Sequence, residues 1–233
     1  MKKIVVFTGA GISAESGINT FRDNGGLWEK YNIEDVATPE AFIKNPTLVL
    51  DFYNSRRKQV LEAQPNLAHI FLKELENEFK VEIITQNIDD LHERAGSSNI
   101  LHLHGEILKA RSSDGNEKKH LILGAELNIG DTCENNHQLR PDIVWFGEDV
   151  PNMITAATIC ENADILIIIG TSLNVYPAAN ILDLVPCNCT KYLIDPNDVA
   201  PRGVKNLTII KEKASIGIPI LAKKLSTKSV IEQ

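Results

Sequence analysis

An apolar run that breaks into closely spaced glycines constrains this chain more than any other feature. Residues 2–8 (KKIVVFT) lead directly into Gly9-Ala10-Gly11-Ile12-Ser13-Ala14-Glu15-Ser16-Gly17. β-Branched residues favour an extended strand. A buried strand that ends on glycines and passes into helix-forming residues is how a Rossmann-type βα turn offers backbone N–H groups to a pyrophosphate. Gly9 and Gly11 would allow the tight turn and the close backbone approach, and Ala14 stands where the fingerprint accepts Gly or Ala for packing helix against strand. The same cluster is also compatible with a plain turn, so nucleotide binding needs further support.

Short apolar runs recur at 4–7, 81–85, 100–103, 165–169, 192–194 and 207–210, separated by segments of helical period. Strands alternating with helices predict an α/β fold, a Rossmann-like parallel sheet with helices on both faces. The run Ile165-Leu166-Ile167-Ile168-Ile169 is continuous rather than alternating, which predicts a central strand buried on both sides. Asn45-Pro46 followed by Leu48, Val49 and Phe52 reads as a capped helix reaching about Ala63. Asn66 similarly precedes a helical pattern, and a short helix at 90–95 is closed by Gly96. Two stretches, 23–63 and 106–140, break this rhythm, and 112–137 is polar and only weakly patterned. They predict a smaller inserted domain within a Rossmann-like part made of about 1–22, 64–105 and 141–233, with the active site in the cleft between the two.

The 24 basic and 31 acidic residues leave a formal charge of −7, which argues against a general nucleic-acid or anionic-membrane surface. No apolar run approaches the roughly 18–20 residues needed to span a bilayer, and the first strand leaves no room for a leader, so the cytoplasm is the expected compartment. Cysteines at 133, 160, 187 and 189 form no Cys-x-x-Cys pair and no disulfide framework. Cys160 reads as a core thiol, and Cys187 and Cys189 read as a loop entering a strand.

Further motifs follow in a fixed order. Ile18-Asn19-Thr20-Phe21-Arg22 and Gly25-Gly26-Leu27-Trp28 interrupt the expected crossover, and then come Thr85-Gln86-Asn87-Ile88-Asp89, His102-Leu103-His104-Gly105, Trp145-Phe146-Gly147-Glu148 and Gly170-Thr171-Ser172. From Gly9 to about Ala214 this pattern resembles the sirtuins, NAD-dependent protein-lysine deacylases. The resemblance implies that NAD is consumed as a co-substrate, with release of nicotinamide and O-acyl-ADP-ribose, and that acylated proteins or peptides are the partners. It implies NAD contacts from Gly9, Ala10, Gly11, Ser13, Glu15, Thr20, Phe21, Arg22, Trp28, Gln86, Asn87, Ile88, Asp89, Gly170, Thr171, Ser172 and Ala214. Asp195 and Asn197 stand where sirtuins usually carry Asn-x-Glu, so their contact with the adenosine ribose is implied with amide and acid exchanged.

By the same resemblance His104 is the general base, with Asn87 and Asp89 as the other catalytic residues, and His102 is structural. An imidazole suits a base role because its unperturbed pKa lies near operating pH. Read without the family, His102 and His104 are two residues on one face of a strand running to 104, Asn87 and Asp89 are helix caps, and Phe21 is core. Val144-Trp145-Phe146-Gly147-Glu148 resembles the segment that pairs with substrate peptide as an added strand, with Val144, Trp145, Phe146 and Gly147 as the implied substrate contacts. Burial of Trp145 and Phe146 in the core is the alternative.

Tyr53 and Arg56 lie three apart on the helix from Pro46, hence on one face. Their spacing matches the sirtuin subgroup that removes succinyl and malonyl groups, where Arg forks onto the distal carboxylate and Tyr hydrogen-bonds it. With Arg57 and Lys58 alongside, a solvated basic face is the alternative. Desuccinylation and demalonylation, with weaker deacetylation, is therefore the expected activity. Mono-ADP-ribosyl transfer, or NAD binding without catalysis, remains as a competing function. Most sirtuins hold a structural zinc with two Cys-x-x-Cys pairs after the catalytic His-Gly, whereas here that region contains only Cys133, with Ser112 in the place of the first cysteine. Zinc is expected to be absent and the small domain to be packed through Leu121, Ile122, Leu123, Leu127 and Ile129. A substitute set from Asp114, His120, Cys133 and His137 lacks ligand spacing.

Overall fold

In a computed structural model of the chain, residues 1–20, 30–116, 118–173, 176, 178–199, 201 and 203–231 are described, with side chains as far as 226. In chain order the elements are β1 (Lys3–Thr8), α1 (Ala10–Ala14), α2 (Ile33–Val36), α3 (Pro39–Lys44), α4 (Pro46–Glu62), α5 (Leu67–Glu74), β2 (Lys80–Thr85), α6 (Leu91–Arg94) and β3 (Ile100–His102). They continue with β4 (Gly105–Ser112), β5 (Lys119–Leu121), β6 (Leu139–Ile143), α7 (Met153–Cys160), β7 (Ile165–Ile169), α8 (Ile181–Leu184), β8 (Thr190–Ile194), β9 (Leu207–Ile210) and α9 (Ala214–Ile231).

Six parallel strands form the main sheet in the order β3-β2-β1-β7-β8-β9. The chain builds outward from β1 in one direction, then returns to β7 and builds outward in the other. That reversal opens a crevice at the carboxyl ends of β1 and β7, where open α/β sheets bind ligands. Alternate residues of the same strand feed opposite faces. Ile4 and Val6 pack with Leu72 of α5 and Ile218 and Leu221 of α9, while Val5 and Phe7 pack with Ala156 and Cys160 of α7 and Ile181 of α8. Burial on both faces is why β1 and β7 carry no polar alternation, and each fully buried Ile, Val or Phe contributes about 1.5–3 kcal/mol. Cys160 is the core thiol expected of it, and burial pushes its pKa up to about 12. Cys189 is buried just before β8 and Cys187 is exposed.

Helix starts follow the polar signals. The Asn45 side chain accepts from the Leu48 amide at the head of α4, with Pro46 in the first turn. Asn66 forms a capping box with His69 at the head of α5. Among the described residues no helix is long and apolar enough to cross a membrane.

The weakly patterned stretch holds a second sheet, antiparallel, in the order β5-β4-β6. Its strands escape a period-two reading because the register of β4 against β6 shifts between Glu106 and Ala110, so the buried residues of β4 fall at Ile107, Ala110 and Ser112. The packing expected of the small domain is only half realised. Ile122 and Leu127 are buried against Leu50 and Ala110, but Leu121, Leu123 and Ile129 are exposed. Polar groups of α4 fasten the loop between β5 and β6 instead. Asn54 exchanges hydrogen bonds with the backbone of Leu127, 3.1 Å from Nδ2 to the carbonyl and 3.0 Å from the amide to Oδ1. Arg57 donates to Ile107 O at 2.7 Å, Asn54 Oδ1 at 2.7 Å and Ala125 O at 3.0 Å. The solvated basic face is thereby corrected: Arg57 is 0% and Arg56 5% exposed, and only Lys58 reaches solvent, beside Glu126.

Candidate active site

A cavity of about 520 Å³ lies at the carboxyl ends of β1, β7 and β8 and extends to α4 and the end of β6, a size suited to a small-molecule ligand. Its base is an interlock of glycines. A Cβ on Gly9 would stand 2.7 Å from Gly170 O and from Thr171 Cβ, and one on Gly11 2.6 Å from Gly170 Cα. Gly170 has φ +64°, and a Cβ there would strike the backbone of Gly11 and Ile12. The Gly9 amide donates to Ile169 O at 3.0 Å and the Gly11 amide to Gly170 O at 2.8 Å. These two N–H groups tie the turn to the last residue of β7 and to Gly170 just after it.

The other expected NAD residues that are described all line this one cavity: Ala10, Ser13, Glu15, Thr20, Gln86, Asn87, Ile88, Asp89, Thr171, Ser172, Asp195, Asn197 and Ala214. Gly9, Gly11 and Gly170 line it as well. Phe21, Arg22 and Trp28 lie outside the described residues. Thr171 Oγ1 donates to Gln86 Oε1 at 2.9 Å, which leaves the Gln86 NH2 available to a ligand. Glu15 accepts from the amide and hydroxyl of Ser215, joining α1 to the start of α9.

Asn87 and Asp89 share one buried network. Asn87 Nδ2 donates to Ser13 Oγ at 3.1 Å, and Ser13 Oγ donates to Asp89 Oδ2 at 3.0 Å. Burial raises the Asp89 pKa, against the opposing pull of hydrogen bonds from Leu91 and Ser13. Asp89 Oδ1 accepts the Leu91 amide, the first of α6, at 3.2 Å, but the N-cap itself is Asp90, whose side chain makes no capping bond, so neither Asn87 nor Asp89 is the cap.

The expected strand through His104 stops at His102, and His104 occupies the break before β4. Gly105 makes that break possible. Its φ is +83°, and a Cβ there would run into Asp142 O. His104 Nδ1 lies 3.1 Å from Gln86 O. A carbonyl only accepts, so Nδ1 carries the proton and the neutral ring keeps its lone pair on Nε2. Burial lowers the His104 pKa below 6.5, outweighing the Gln86 contact. His102 is held oppositely. Its Nδ1 faces Asn87 O at 2.9 Å and its Nε2 faces Glu93 Oε1 at 2.8 Å. Burial lowers its pKa too, but Glu93 outweighs that effect, and the net shift is upward. Environments that separate two histidines in this way assign one to be neutral and the other to be charged. Among the described residues, Glu93, His102 and Glu106 form the one group with metal-ligand spacing, and Lys109 already stands 2.7 Å from Glu106 Oε2.

Tyr53, Arg56, Val144, Trp145, Phe146 and Gly147 line the same cavity. Tyr53 and Arg56 are 4% and 5% exposed. Burial pushes the Tyr53 phenol up to about 12 and the Arg56 guanidinium down to about 10, a drop that Tyr53 and Asp89 oppose. Trp145 is buried, as the core alternative has it, while Phe146 is 41% exposed. The amides of Val144, Trp145 and Phe146 donate to His104 O, Glu148 Oε2 and Ala37 O, so an added peptide strand would have to use other groups of this segment. Sequence reasoning read Glu148 only as the end of the peptide-pairing segment, whereas it closes a turn: Gly147 has φ +89° and the Glu148 amide donates to Trp145 O at 3.1 Å. It also missed Ile18, Val60, Ile143 and Lys213 in the cavity wall, residues without local chemical signal.

In the small sheet, Ser112 Oγ lies 3.4 Å from Cys133 Sγ, and His137 Nε2 lies 3.6 Å from Asp114 Oδ2. A hydroxyl paired with one thiol does not provide the thiolate-rich tetrahedral donor set of a structural zinc site.

Comparison with known proteins gives a consistent result. Residues 9–177 match the Sir2 family. A Bacteroides thetaiotaomicron protein named NAD-dependent protein deacylase is 54% identical over 223 residues, covering 94% of this chain and 95% of its own length. The solved ADP-ribose complex of a Sir2 homologue superposes with a TM-score of 0.89 at 37% identity, covering 98% of this chain and 94% of that one. A Sir2 homologue in complex with NAD gives 0.85 at 38% identity, covering 97% and 90%.

The two histidines offer a direct check. NMR titration of the imidazoles is expected to show His104 as the Nδ1–H tautomer with a pKa below that of a free imidazole, and His102 with a pKa above it. The reverse order would contradict this assignment of roles.

Proposed function

The chain belongs to the Sir2 family, and we propose that it is an NAD-dependent protein-lysine deacylase preferring acyl groups that end in a carboxylate, succinyl and malonyl, over acetyl. The observation that carries the acyl preference is the buried pair Tyr53 and Arg56 on the cavity that also holds His104. A guanidinium and a neutral phenol side by side suit a carboxylate, which accepts from both. An acetyl group ends in a methyl and gives neither of them an acceptor at that distal position.

The donor set of the cavity fits NAD, with carboxamides at Gln86, Asn87 and Asn197, carboxylates at Asp89 and Asp195, and hydroxyls at Ser13, Thr171 and Ser172. When bound, NAD supplies the ribose that receives the acyl group as nicotinamide leaves. Asn87, oriented by Ser13, and Asp89 hold the nicotinamide end. Gln86, with its oxygen engaged by Thr171, turns its NH2 to the ribose, and Asp195 with Asn197 meets the adenosine ribose. His104 accepts a proton at Nε2 from a ribose hydroxyl, a role that requires the neutral ring its burial favours. Acylated-lysine proteins or peptides are the substrates, and the exposed Phe146 at the cavity mouth gives them an apolar contact.

We further propose that the small sheet stands without zinc, held by Asn54, Arg57 and the buried Ile122 and Leu127. Purified protein is expected to contain no stoichiometric zinc by elemental analysis, and Arg57→Ala to lower stability to urea by about 3 kcal/mol by leaving buried carbonyls unpaired. One zinc per chain, or an unchanged urea midpoint in the variant, would contradict this.

The acyl preference is tested by kinetics on one peptide carrying succinyl, malonyl or acetyl lysine. Replacing Arg56→Met is expected to lower kcat/KM on the succinyl peptide by about 100-fold, since a charge-assisted contact contributes about 1.5–3 kcal/mol, and to lower it much less on the acetyl peptide. Equal losses would remove the claim.

A further inference from the structure

We propose that Trp145 is a positioning residue for acyl selectivity: by donating its indole N–H to Tyr53 Oη, it aims the phenolic proton at the distal carboxylate of the acyl group. This inference rests on the proposed preference for carboxylate-bearing acyl groups and deepens it.

The donor, Trp145 Nε1, lies 3.0 Å from Tyr53 Oη, and both residues are buried. An indole nitrogen carries a hydrogen and no available lone pair, so this bond runs in one direction only, from Trp145 to Tyr53. A phenolic oxygen that accepts here keeps its own hydrogen for another partner. Tyr53 lines the cavity together with Arg56, whose positive charge marks the place where an anionic acceptor would settle. The phenol stays protonated, because burial holds its pKa at about 12. The unit formed by Trp145 and Tyr53 is therefore a donor of fixed polarity beside a cation, complementary to a carboxylate and indifferent to a methyl group.

Trp145 is itself clamped. The Arg140 guanidinium lies 3.3 Å from the centroid of its ring, a cation–π contact that fixes the indole plane. Glu148 holds that guanidinium with both oxygens, at 2.7 and 3.0 Å, and accepts the Trp145 amide at 2.7 Å. Arg111 adds contacts of 3.2 and 3.1 Å to the same carboxylate. Trp145, Arg140, Glu148 and Arg111 thus fix the direction of one hydroxyl. The polarity of the donor chain, rather than apolar packing alone, is what makes a tryptophan fit this position.

The test measures kcat and KM with succinyl and acetyl forms of one peptide in the natural protein, Trp145→Phe, Tyr53→Phe and the double variant. Phenylalanine keeps a ring for Arg140 and removes the donor. Trp145→Phe is expected to raise KM for the succinyl peptide and to lower the succinyl-to-acetyl ratio of kcat/KM by about tenfold, part of the value of a hydrogen bond to a charged group. In the Tyr53→Phe background the same change is expected to leave that ratio within about twofold, because the coupling runs through the hydroxyl. A ratio that falls equally in both backgrounds, or equal losses on both peptides from Trp145→Phe, would overturn the inference. If Trp145→Phe does not fold, β-(3-benzothienyl)alanine at 145, which keeps the bicyclic shape and lacks the N–H, carries the same expectation. Absence of succinyl preference in the natural protein would instead sink the underlying acyl reading, so the two failures are distinguishable.

Discussion

The backbone contact between Gly11 and Gly170 is the constraint on which the rest of the site depends. β1 and β7 are neighbours in the sheet, and the chain leaves them in opposite directions, so their following turns meet above the sheet edge. Any side chain at Gly9, Gly11 or Gly170 would push those turns apart. Because they can touch, Thr171 reaches Gln86 and Ser13 reaches Asn87 and Asp89. The floor of the cavity is thus built by hydrogen bonds between consecutive strand ends, each placed by the sheet register. Glycine here serves the fit of backbone against backbone, with the Gly9 amide bonded to Ile169 of β7 and the Gly11 amide to Gly170.

On this floor the protein separates charge by environment. His102 lies between Asn87 O and Glu93 and gains a proton readily, whereas His104, two residues on, loses solvent without gaining a carboxylate. The separation follows from the break between β3 and β4: one histidine still belongs to the parallel sheet, and the other hangs in the crossing to the antiparallel one. Opposite it, α4 carries two buried guanidinium groups with different tasks. Arg57 is consumed by carbonyls of the small sheet, and Arg56 lines the cavity. Neighbours in sequence are divided by the helical turn into a structural staple and a candidate ligand contact.

The main sheet was legible because strands buried on both faces leave continuous apolar runs, as at Ile165–Ile169, and because Asn45 and Asn66 announce helices by capping. The expected site residues that are described converge on one cavity for a related reason: most of them sit directly after strands, and strand ends are readable. The small sheet was not legible. A register shift in β4 scatters its buried positions, and long-range hydrogen bonds from Asn54 and Arg57 do for its loop what apolar spacing was expected to do, so Leu121, Leu123 and Ile129 are left to solvent. Local pattern also said nothing of Arg140 and Glu148, whose importance arises only when the turn after β6 carries Glu148 back to Arg140, the guanidinium that lies over the Trp145 ring.

The central claim is that His104, on a cavity at the strand reversal, directs transfer of an acyl group from lysine to the ribose of NAD. Mass analysis of products from NAD and a succinylated peptide tests it most directly. The account expects nicotinamide and succinyl-ADP-ribose in equal amounts from the natural protein, and a rate reduced by roughly 100-fold or more in His104→Ala, the usual scale for losing a general base. Nicotinamide released without acyl transfer, or a variant that makes the same product at the natural rate, would contradict it.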